Sequence, residues 1–142
     1  MMRINFEQAN TICHNALLKA RELALKPVCV AVLDPGGHIV ALMREDGASN
    51  LRPQIAQAKA SGALDLGMSS RKIAEMAVER PTFVAALAKI ARQGLIPAAG
   101  GVLVTDDLGR PLGAVGVTGD TSDNDELCAL AGITAAGLSA QA

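Results

Sequence analysis

The sequence predicts an α+β fold in which an antiparallel sheet of four or five strands is covered by alanine-rich helices. Segments of helical and strand character follow one another in the order α-β-β-α-α-α-β-β-α. Each pair of consecutive strands is joined by a short turn sequence typical of a hairpin, so the paired strands run antiparallel. No charge run, repeat or low-complexity linker interrupts the 142 residues. We therefore expect a single domain over residues 1–142.

The first helix and the first hairpin are predicted from periodicity and turn residues. Apolar residues recur at helical spacing over residues 6–25, and Pro27 ends the pattern. Val28–Leu33 is a continuous apolar run that indicates a buried strand. The turn Asp34–Gly37 contains Pro and two Gly residues, and it leads into a returning strand over His38–Arg44.

The remaining elements are predicted from capping residues at helix starts and from Gly or Pro at helix ends. For the last helix, Asp123 and Glu126 have the spacing of a capping box. The expected elements are helices over about 50–66, 70–78 and 82–92, strands over 102–105 and 111–118, and a last helix over about 123–139.

Large side chains are scarce in this sequence. Half of the residues are apolar, yet Phe6 and Phe83 are the only aromatic ones, alongside 26 alanines and 14 glycines. We therefore expect a core built on close backbone approach. The net charge of −1 argues against a surface for nucleic acid or an anionic membrane, because such surfaces carry a basic excess. The shortage of aromatic residues also argues against base stacking.

Cysteine usage and the N-terminus favour a cytoplasmic protein. The first residues lack the apolar stretch of a secretory signal, and no run approaches the roughly 18 apolar residues of a membrane span. Cys13, Cys29 and Cys128 are odd in number and widely spaced, which favours reduced thiols. No CxxC pair is present, so zinc-ribbon and thioredoxin-type sites are excluded.

His14 lies away from the apolar face of the first helix. Leu18, Arg21 and Leu25 are expected on the same side, and two leucines there indicate a second contact surface such as a subunit interface. A histidine in this position is either an ordinary exposed or interface residue, or a metal ligand.

Charged residues at the edges of apolar segments indicate where a pocket would obtain its polar groups. Arg44 and Asp46 end the second strand, and Lys59 stands among alanines in the next helix. These are either exposed charges or the lining of a site for an anionic ligand. In an enzyme, Lys59 or Asp46 would be the acid–base group, although no motif specifies a reaction.

Glycine-rich and acidic segments surround the second hairpin. The glycines from Gly113 to Gly119 have GxxGxxG spacing inside a hairpin, which does not match a dinucleotide-binding loop. They are better explained if they let a helix or a ligand lie flat on the sheet. The acidic loop that begins at Asp120 lacks the spacing of an EF-hand, and helix capping accounts for its carboxylates.

Several segments together resemble one family. Residues 30–48 read VAVLDPGGHIVALMREDGA, and they are followed by AKA at 58–60, GGV at 100–102, GAVGVTG at 113–119, Asp125 and ALAG at 129–132. In this order and spacing they are similar to the GlcG/HbpS-like haem-binding family, which includes the C-terminal domain of PduO-type corrinoid adenosyltransferases. The resemblance covers about residues 8–140.

The resemblance implies a profilin/PAS-like layer with a five-stranded antiparallel sheet flanked by helices. It also implies a homo-oligomer, from dimer to octamer, that binds haem in a storage or sensing role. His14 would be the axial ligand, and Arg44 and Lys59, with Arg52 as a further candidate, would meet the propionates.

Two alternatives remain beside haem binding. One is a small enzyme or sensor of a catabolic pathway, which would bind an anionic metabolite. The other is a subunit that only scaffolds a larger complex. The pocket for the metabolite would be lined by Arg44, Asp46, Lys59, Gly100, Gly101, Gly119 and Asp125.

Overall fold

The structure, a computed structural model, describes residues 2–141 and contains five helices and five strands within them. The order along the chain confirms the predicted order up to the last helix. The elements are α1 (Phe6–Glu22), β1 (Cys29–Leu33), β2 (Ile39–Arg44), α2 (Arg52–Leu66), α3 (Ser70–Glu79), α4 (Pro81–Ile90), β3 (Gly101–Thr105), β4 (Pro111–Thr118), α5 (Ser122–Ala135) and β5 (Ser139–Gln141).

The five strands form one antiparallel sheet in the order β2-β1-β4-β3-β5. This confirms the α+β class and the five-stranded antiparallel sheet. The two central strands, β1 and β4, are buried along almost their whole length. They join the two predicted hairpins, because β1 pairs with β4 from the second hairpin as well as with β2.

Helices cover both faces of the sheet. On one face, α1 and α5 pack over the valines of β1 and β4 and contribute Ile12, Cys13 and Ile133 to the main core. On the other face, α2 lies directly on β1, β3 and β4. Helices α3 and α4 form a separate apolar cluster with α2 and the segment that follows α4.

Glycines let α2 approach the sheet closely. A Cβ atom at Gly116 would collide with the backbone carbonyl of Ala56, and one at Gly101 would collide with the carbonyl of Lys59. Both glycines belong to strands that lie beneath α2. The expected core of close backbone contacts is therefore confirmed on this face. The glycines make room on the sheet for helix α2.

The prediction of a last helix reaching about Ser139 is wrong. Helix α5 ends at Ala135, and Gly137 has φ of 73°, a left-handed conformation that turns the chain. Residues 139–141 then pair with β3 as β5. Because Ser, Ala and Gln lack strand propensity, it is the free edge of β3 that makes this segment a strand.

Helix starts also differ from the predicted caps. Helix α2 begins after Leu51 without a hydrogen bond from a capping side chain. Helix α4 begins at Pro81. The cap of α5 is Thr121, which accepts a hydrogen bond from the Asn124 amide, rather than Asp123. Several residues near each start can cap a helix, and local sequence does not choose between them.

All three cysteines are free and fully buried. Burial raises the pKa of Cys13 to about 12 and the pKa values of Cys29 and Cys128 to about 11. The thiols therefore stay protonated at neutral pH and behave as small apolar side chains.

Candidate functional site

His14 is an exposed side chain on α1. Within residues 2–141 it makes no hydrogen bond or ion pair, so both ring nitrogens are available to a ligand. Leu18, one turn further along α1, is 64% exposed, and Arg21 is exposed two turns from His14. His14 and Arg21 are separated by about 10.5 Å along the helix axis. Helix α1 therefore presents an imidazole, an apolar side chain and a cation along one exposed strip.

The other histidine has a different environment. His38 lies in the β1–β2 turn, where its Nδ1 is 3.2 Å from Asp34 Oδ1. The same carboxylate oxygen accepts hydrogen bonds from the backbone N–H groups of Gly36 and His38. His38 is thus part of the turn, and His14 is the better candidate for an iron or metal ligand.

A surface groove of about 480 Å³ opens where α1, the loop before β1 and the end of β2 meet. Its lining residues are Arg21, Pro27, Arg44, Glu45 and Asp46. Arg21 and Glu45 form an ion pair of 3.1 Å, and Glu45 also accepts the backbone N–H of Val28. Arg44 has no carboxylate within ion-pair distance among residues 2–141 and donates only to the carbonyl of Ala48, at 2.8 Å. The predicted pair Arg44 and Asp46 therefore shares one open groove.

Arg52, at the start of α2, adds a second cation near this end of the sheet. Arg44, Cys29 and Thr118 lie side by side on β2, β1 and β4, so about 10 Å separate the backbones of Arg44 and Thr118. Arg52 Nη1 donates to Thr118 Oγ1 at 2.7 Å. Like Arg44, Arg52 has no carboxylate partner in the described part of the chain. Both arginines therefore lie near this end of the sheet without a carboxylate at ion-pair distance in the described residues, and each donates to a neutral oxygen.

Lys59 is buried beneath α2 rather than exposed in a pocket. Its Nζ donates to the Val117 carbonyl at 3.0 Å and to Asp125 Oδ2 at 3.2 Å, and the two side chains are 3% and 2% exposed. Burial lowers the pKa of Lys59, the charge of Asp125 opposes this change, and the charge of Arg52 reinforces it. The pair joins α2, β4 and α5, which are far apart in sequence.

The predicted glycines lie around the Lys59–Asp125 pair and at the end of β4. Gly100 has φ of 126°, and a Cβ atom there would lie 2.8 Å from Lys59 Nζ. Gly101 donates its N–H to Ser70 Oγ at 2.7 Å. Gly119 has φ of 153° and abuts the carbonyl of Pro27. Each glycine is required by neighbouring protein atoms.

The acidic loop before α5 is held by internal hydrogen bonds. Asp125 Oδ1 accepts the backbone N–H of Asp120. Asp120 in turn accepts hydrogen bonds from the Asn124 side chain and from the N–H groups of Lys26 and Thr121. These bonds, that of Asn124 first, lower the pKa of Asp120 to about 2. The loop fastens α5 to the segment before β1.

The predicted site residues therefore separate into three places. His14 lies on α1, Arg44 and Asp46 line the surface groove, and Lys59 forms an interior pair with Asp125. The structure brings Lys59, Asp125, Gly100 and Gly101 together. It does not bring Arg44 and Asp46 into contact with them, because Lys59 points into the protein and Arg44 lies at the outer strand.

Sequence reasoning missed the polar network of Arg71. Its guanidinium bonds Glu126 at 3.0–3.1 Å and Asp123 at 2.6 Å, joining α3 to the start of α5. The only sequence signal was an arginine at a helix start, where a cation is normally unfavourable. Among residues 2–141, no cluster of three or more His, Cys, Asp or Glu side chains is arranged to hold a metal ion.

Comparisons with known proteins agree with the fold. The chain is similar to HbpS, with 28% identity, a TM-score of 0.81, and coverage of 94% of this chain and 90% of that one. It is similar to the Klebsiella pneumoniae protein ORFY, with 27% identity, a TM-score of 0.86, and coverage of 96% and 92%. A PduOC–haem complex shares the fold at 20% identity, with a TM-score of 0.85 and coverage of 96% and 97%. No curated protein sequence matches significantly.

Of the helices that the structure describes, none has both the length and the apolar character needed to cross a bilayer. The family model for the haem degrading protein HbpS-like matches residues 4–134, which is most of the chain. The order of motifs, the five-stranded sheet and this match together assign the chain to the HbpS-like family.

Proposed function

We propose that this protein binds haem, with His14 as an axial ligand of the iron, and stores or senses it in the cytoplasm. The observation that carries the proposal is the exposed imidazole of His14, which has no protein partner in the described residues. A neutral imidazole is a common ligand of haem iron. The family to which the chain belongs is described as haem degrading, and one protein of this fold is a haem complex.

The surroundings of His14 suit the other parts of haem. Leu18 provides exposed apolar surface beside the imidazole, against which a porphyrin ring can be buried. Arg21 and Arg44 lie in the groove at the far end of α1 and are cations suited to carboxylates. We assign Arg44 to a propionate because it has no carboxylate partner, whereas Arg21 is already paired with Glu45.

Lys59 has a different role in this proposal. Its ammonium group is satisfied by Val117 and Asp125 and is 3% exposed. We propose that Lys59 and Asp125, with Gly100 and Gly101 packed against them, hold α2 on the sheet. They would thereby keep Arg52 and Arg44 at the same end of the sheet.

The test is a titration of the purified protein with haemin, followed at the Soret band. The protein should give a saturable, stoichiometric shift, and His14→Ala should weaken affinity by on the order of tenfold or more. His38→Ala is the matched control, because His38 belongs to a turn, and it should titrate like the unmodified protein. A linear, non-saturating rise would contradict haem binding. Saturable binding with unchanged affinity in His14→Ala would contradict only the ligand assignment.

A second candidate function is binding of a small anionic metabolite, as in an enzyme or sensor of a catabolic pathway. It is favoured by Arg44 and Arg52, two cations near one end of the sheet without carboxylate partners. A dicarboxylate or phosphate placed there would neutralise both charges. In the enzymatic version Asp46, at the rim of the groove, would act as the acid–base group.

Thermal denaturation in the presence of small carboxylates and phosphates tests this second function. A cognate anion should raise the melting temperature, and Arg44→Met combined with Arg52→Met should abolish the rise. Lys72→Met, which removes an exposed lysine from α3, is the control. If no anion stabilises the protein, or if the double variant is stabilised equally, the arginines do not form the site.

We further propose that the protein acts as a homo-oligomer, between a dimer and an octamer. The supporting observation is exposed apolar surface on the helices: Leu18 on α1 is 64% exposed, and Ile90 on α4 is 78% exposed. Sedimentation equilibrium measures the assembly directly. A protein that remains monomeric at micromolar concentration, with and without haemin, would contradict this proposal.

A further inference from the structure

Helix α4 is apolar around nearly its whole circumference, yet it covers very little of the protein. Of its ten residues, Val84 is the only one that is buried. Phe83 and Ile90 are 41% and 78% exposed, and Ala86 between them is also exposed. A helix that is apolar on all sides is normally enclosed by other elements. The exposed side of α4 therefore lacks the cover that such a helix normally has.

The exposed apolar residues of α4 follow the spacing of a helix–helix seam. Phe83, Ala86 and Ile90 are three and then four residues apart, which places them on one side of the helix. This stripe is distinct from the side of Val84 and Ala88, which belongs to the cluster with α3. The small side chain of Ala86 at the middle of the stripe allows close approach of a second helix.

A groove of about 300 Å³ runs beside the stripe. Its apolar walls are Leu87, Ile90, Ala91, Leu66 and Leu95, and Asp65 and Arg92 lie at its rim. The groove is at the C-terminal end of α4, whereas the partly exposed Phe83 ring lies near the N-terminal end. A partly exposed aromatic side chain and an apolar groove thus lie towards opposite ends of the same helix, and Phe83 is seven residues from Ile90 of the groove.

Charges accompany both features. The Arg80 guanidinium lies over the Phe83 ring, 3.9 Å from its centroid. Arg80 has no carboxylate partner within residues 2–141, and Asp65 at the groove has no cationic partner there. If Phe83 of one molecule enters the groove of another, the cation on the ring approaches the carboxylate at the rim.

We propose that α4 packs antiparallel against the α4 of a second copy of this chain, about a two-fold axis at Ala86. One rotation then places each Phe83 in the groove of the other copy and each Arg80 beside the partner's Asp65. A surface that carries both the projection and its groove is self-complementary, which is the requirement for a two-fold interface. A lipid surface or an apolar peptide could fill the groove, but neither would supply a charged partner for both Arg80 and Asp65. The proposal rests on the homo-oligomer proposed above, for which it names one contact, and it does not depend on haem or on any other ligand.

Disulfide trapping at the axis tests the geometry. In Ala86→Cys, the two introduced thiols would face each other across the axis, within the distance that a disulfide requires. The three native thiols are fully buried, so they do not compete. Mild oxidation should give a covalent dimer of nearly all the protein. Ala85→Cys is the matched control, since Ala85 is also exposed but points about 100° away, and it should cross-link much more slowly. Equal rates for the two variants would contradict the proposed axis.

The mass of the assembly tests the energetics. Ile90→Glu places a charge in the seam and should reduce the mass about twofold or more by sedimentation equilibrium, with an unchanged circular dichroism spectrum. Arg80→Asp should also weaken the assembly, and Arg80→Asp combined with Asp65→Arg should restore it. An unchanged mass in Ile90→Glu would overturn the proposal, and so would failure of the double charge reversal to restore a mass that Arg80→Asp had lowered. Binding of the chain to neutral lipid vesicles or to an apolar peptide, with no change of mass in these variants, would assign the groove to that other occupant.

Discussion

Helices α2 and α4 have similar alanine-rich sequences and opposite environments. Helix α2 contains the charged residue Lys59, yet seven of its fifteen residues are buried, and Lys59 is one of them. Helix α4 is far more apolar, yet only Val84 is buried. The difference lies in what faces each helix. The glycines of β3 and β4 let the backbone of α2 lie close to the sheet, whereas α4 packs at the margin, on α3, the end of α2 and the chain that follows α4. In this protein, burial of a helix depends on the surface that receives it more than on its composition.

The largest effect is expected from breaking the ion pair beneath α2. Asp125→Ala leaves the buried ammonium of Lys59 without its counter-charge, and we expect a loss of about 3–5 kcal/mol in the free energy of unfolding. Adding Lys59→Met removes the unpaired charge and should recover most of the loss. Urea denaturation of the two variants and the unmodified protein measures this. If the double variant is no more stable than Asp125→Ala, the unpaired charge of Lys59 is not the cause of the loss in unfolding free energy.

The second largest loss of stability is expected from filling the space between α2 and the sheet. In Gly116→Ala the new methyl group collides with the carbonyl of Ala56 and approaches the backbone nitrogen of Ala60, so a helix or a strand must move. We expect a loss of about 3 kcal/mol. Gly109→Ala is the control: nothing lies near its added methyl group, and only its φ of 77° opposes the change, at about 1–2 kcal/mol. Equal losses in the two variants would contradict close contact beneath α2.

The same substitution in both helices sharpens the comparison. Ala60→Ser buries a hydroxyl group between α2 and the sheet, and we expect it to cost about 1–3 kcal/mol. Ala85→Ser, on the exposed side of α4, changes only helix propensity and should cost about 0.5 kcal/mol. Thermal unfolding at one protein concentration compares the two. If Ala85→Ser is the more damaging, α4 is covered on a side that the single chain leaves exposed.

The smallest expected effect concerns the acidic loop, which has no counterpart near α4. The pKa of Asp120 falls from 3.8 to about 2 on folding, so its carboxylate stabilises the folded state above about pH 4. This contribution is lost as the pH falls from about 4 towards 2. Asp120→Asn should therefore lower stability at neutral pH and flatten the acid side of the stability curve. The free energy of unfolding of the unmodified protein and of Asp120→Asn should be measured from pH 2 to 6, and the two curves should converge at low pH. Parallel curves would contradict the stabilising role of the Asp120 carboxylate.

Local signals in the sequence are sufficient for most of the fold. Helical periodicity and the turn at Asp34–Gly37 predict the elements and their antiparallel pairing, because these signals act over a few neighbouring residues. Strand β5 could not be found in this way. Its three residues carry no strand pattern, and they become a strand only because β3 offers a free edge.

The candidate site was only partly predictable. The sequence singled out Lys59 among alanines and Asp125 as separate candidates for the lining of a pocket. Their pairing spans 66 residues of sequence, so it depends on tertiary structure. A single pocket that also contains Arg44 and Asp46 was expected because charged residues at the ends of apolar segments look alike in sequence. Arg44 lies on an outer strand and Lys59 lies beneath a helix, and sequence periodicity alone does not distinguish these positions.

The buried thiols have a practical consequence for following the motions of this protein. Cys13 lies in α1, Cys29 lies in β1 on the face beneath α2, and Cys128 lies in α5. A thiol-specific alkylating reagent can reach each of them only when that part of the molecule opens, so the three alkylation rates report three local opening equilibria. The native chain thus carries its own set of probes, two in the helix layer of α1 and α5 and one in the sheet, without any introduced label.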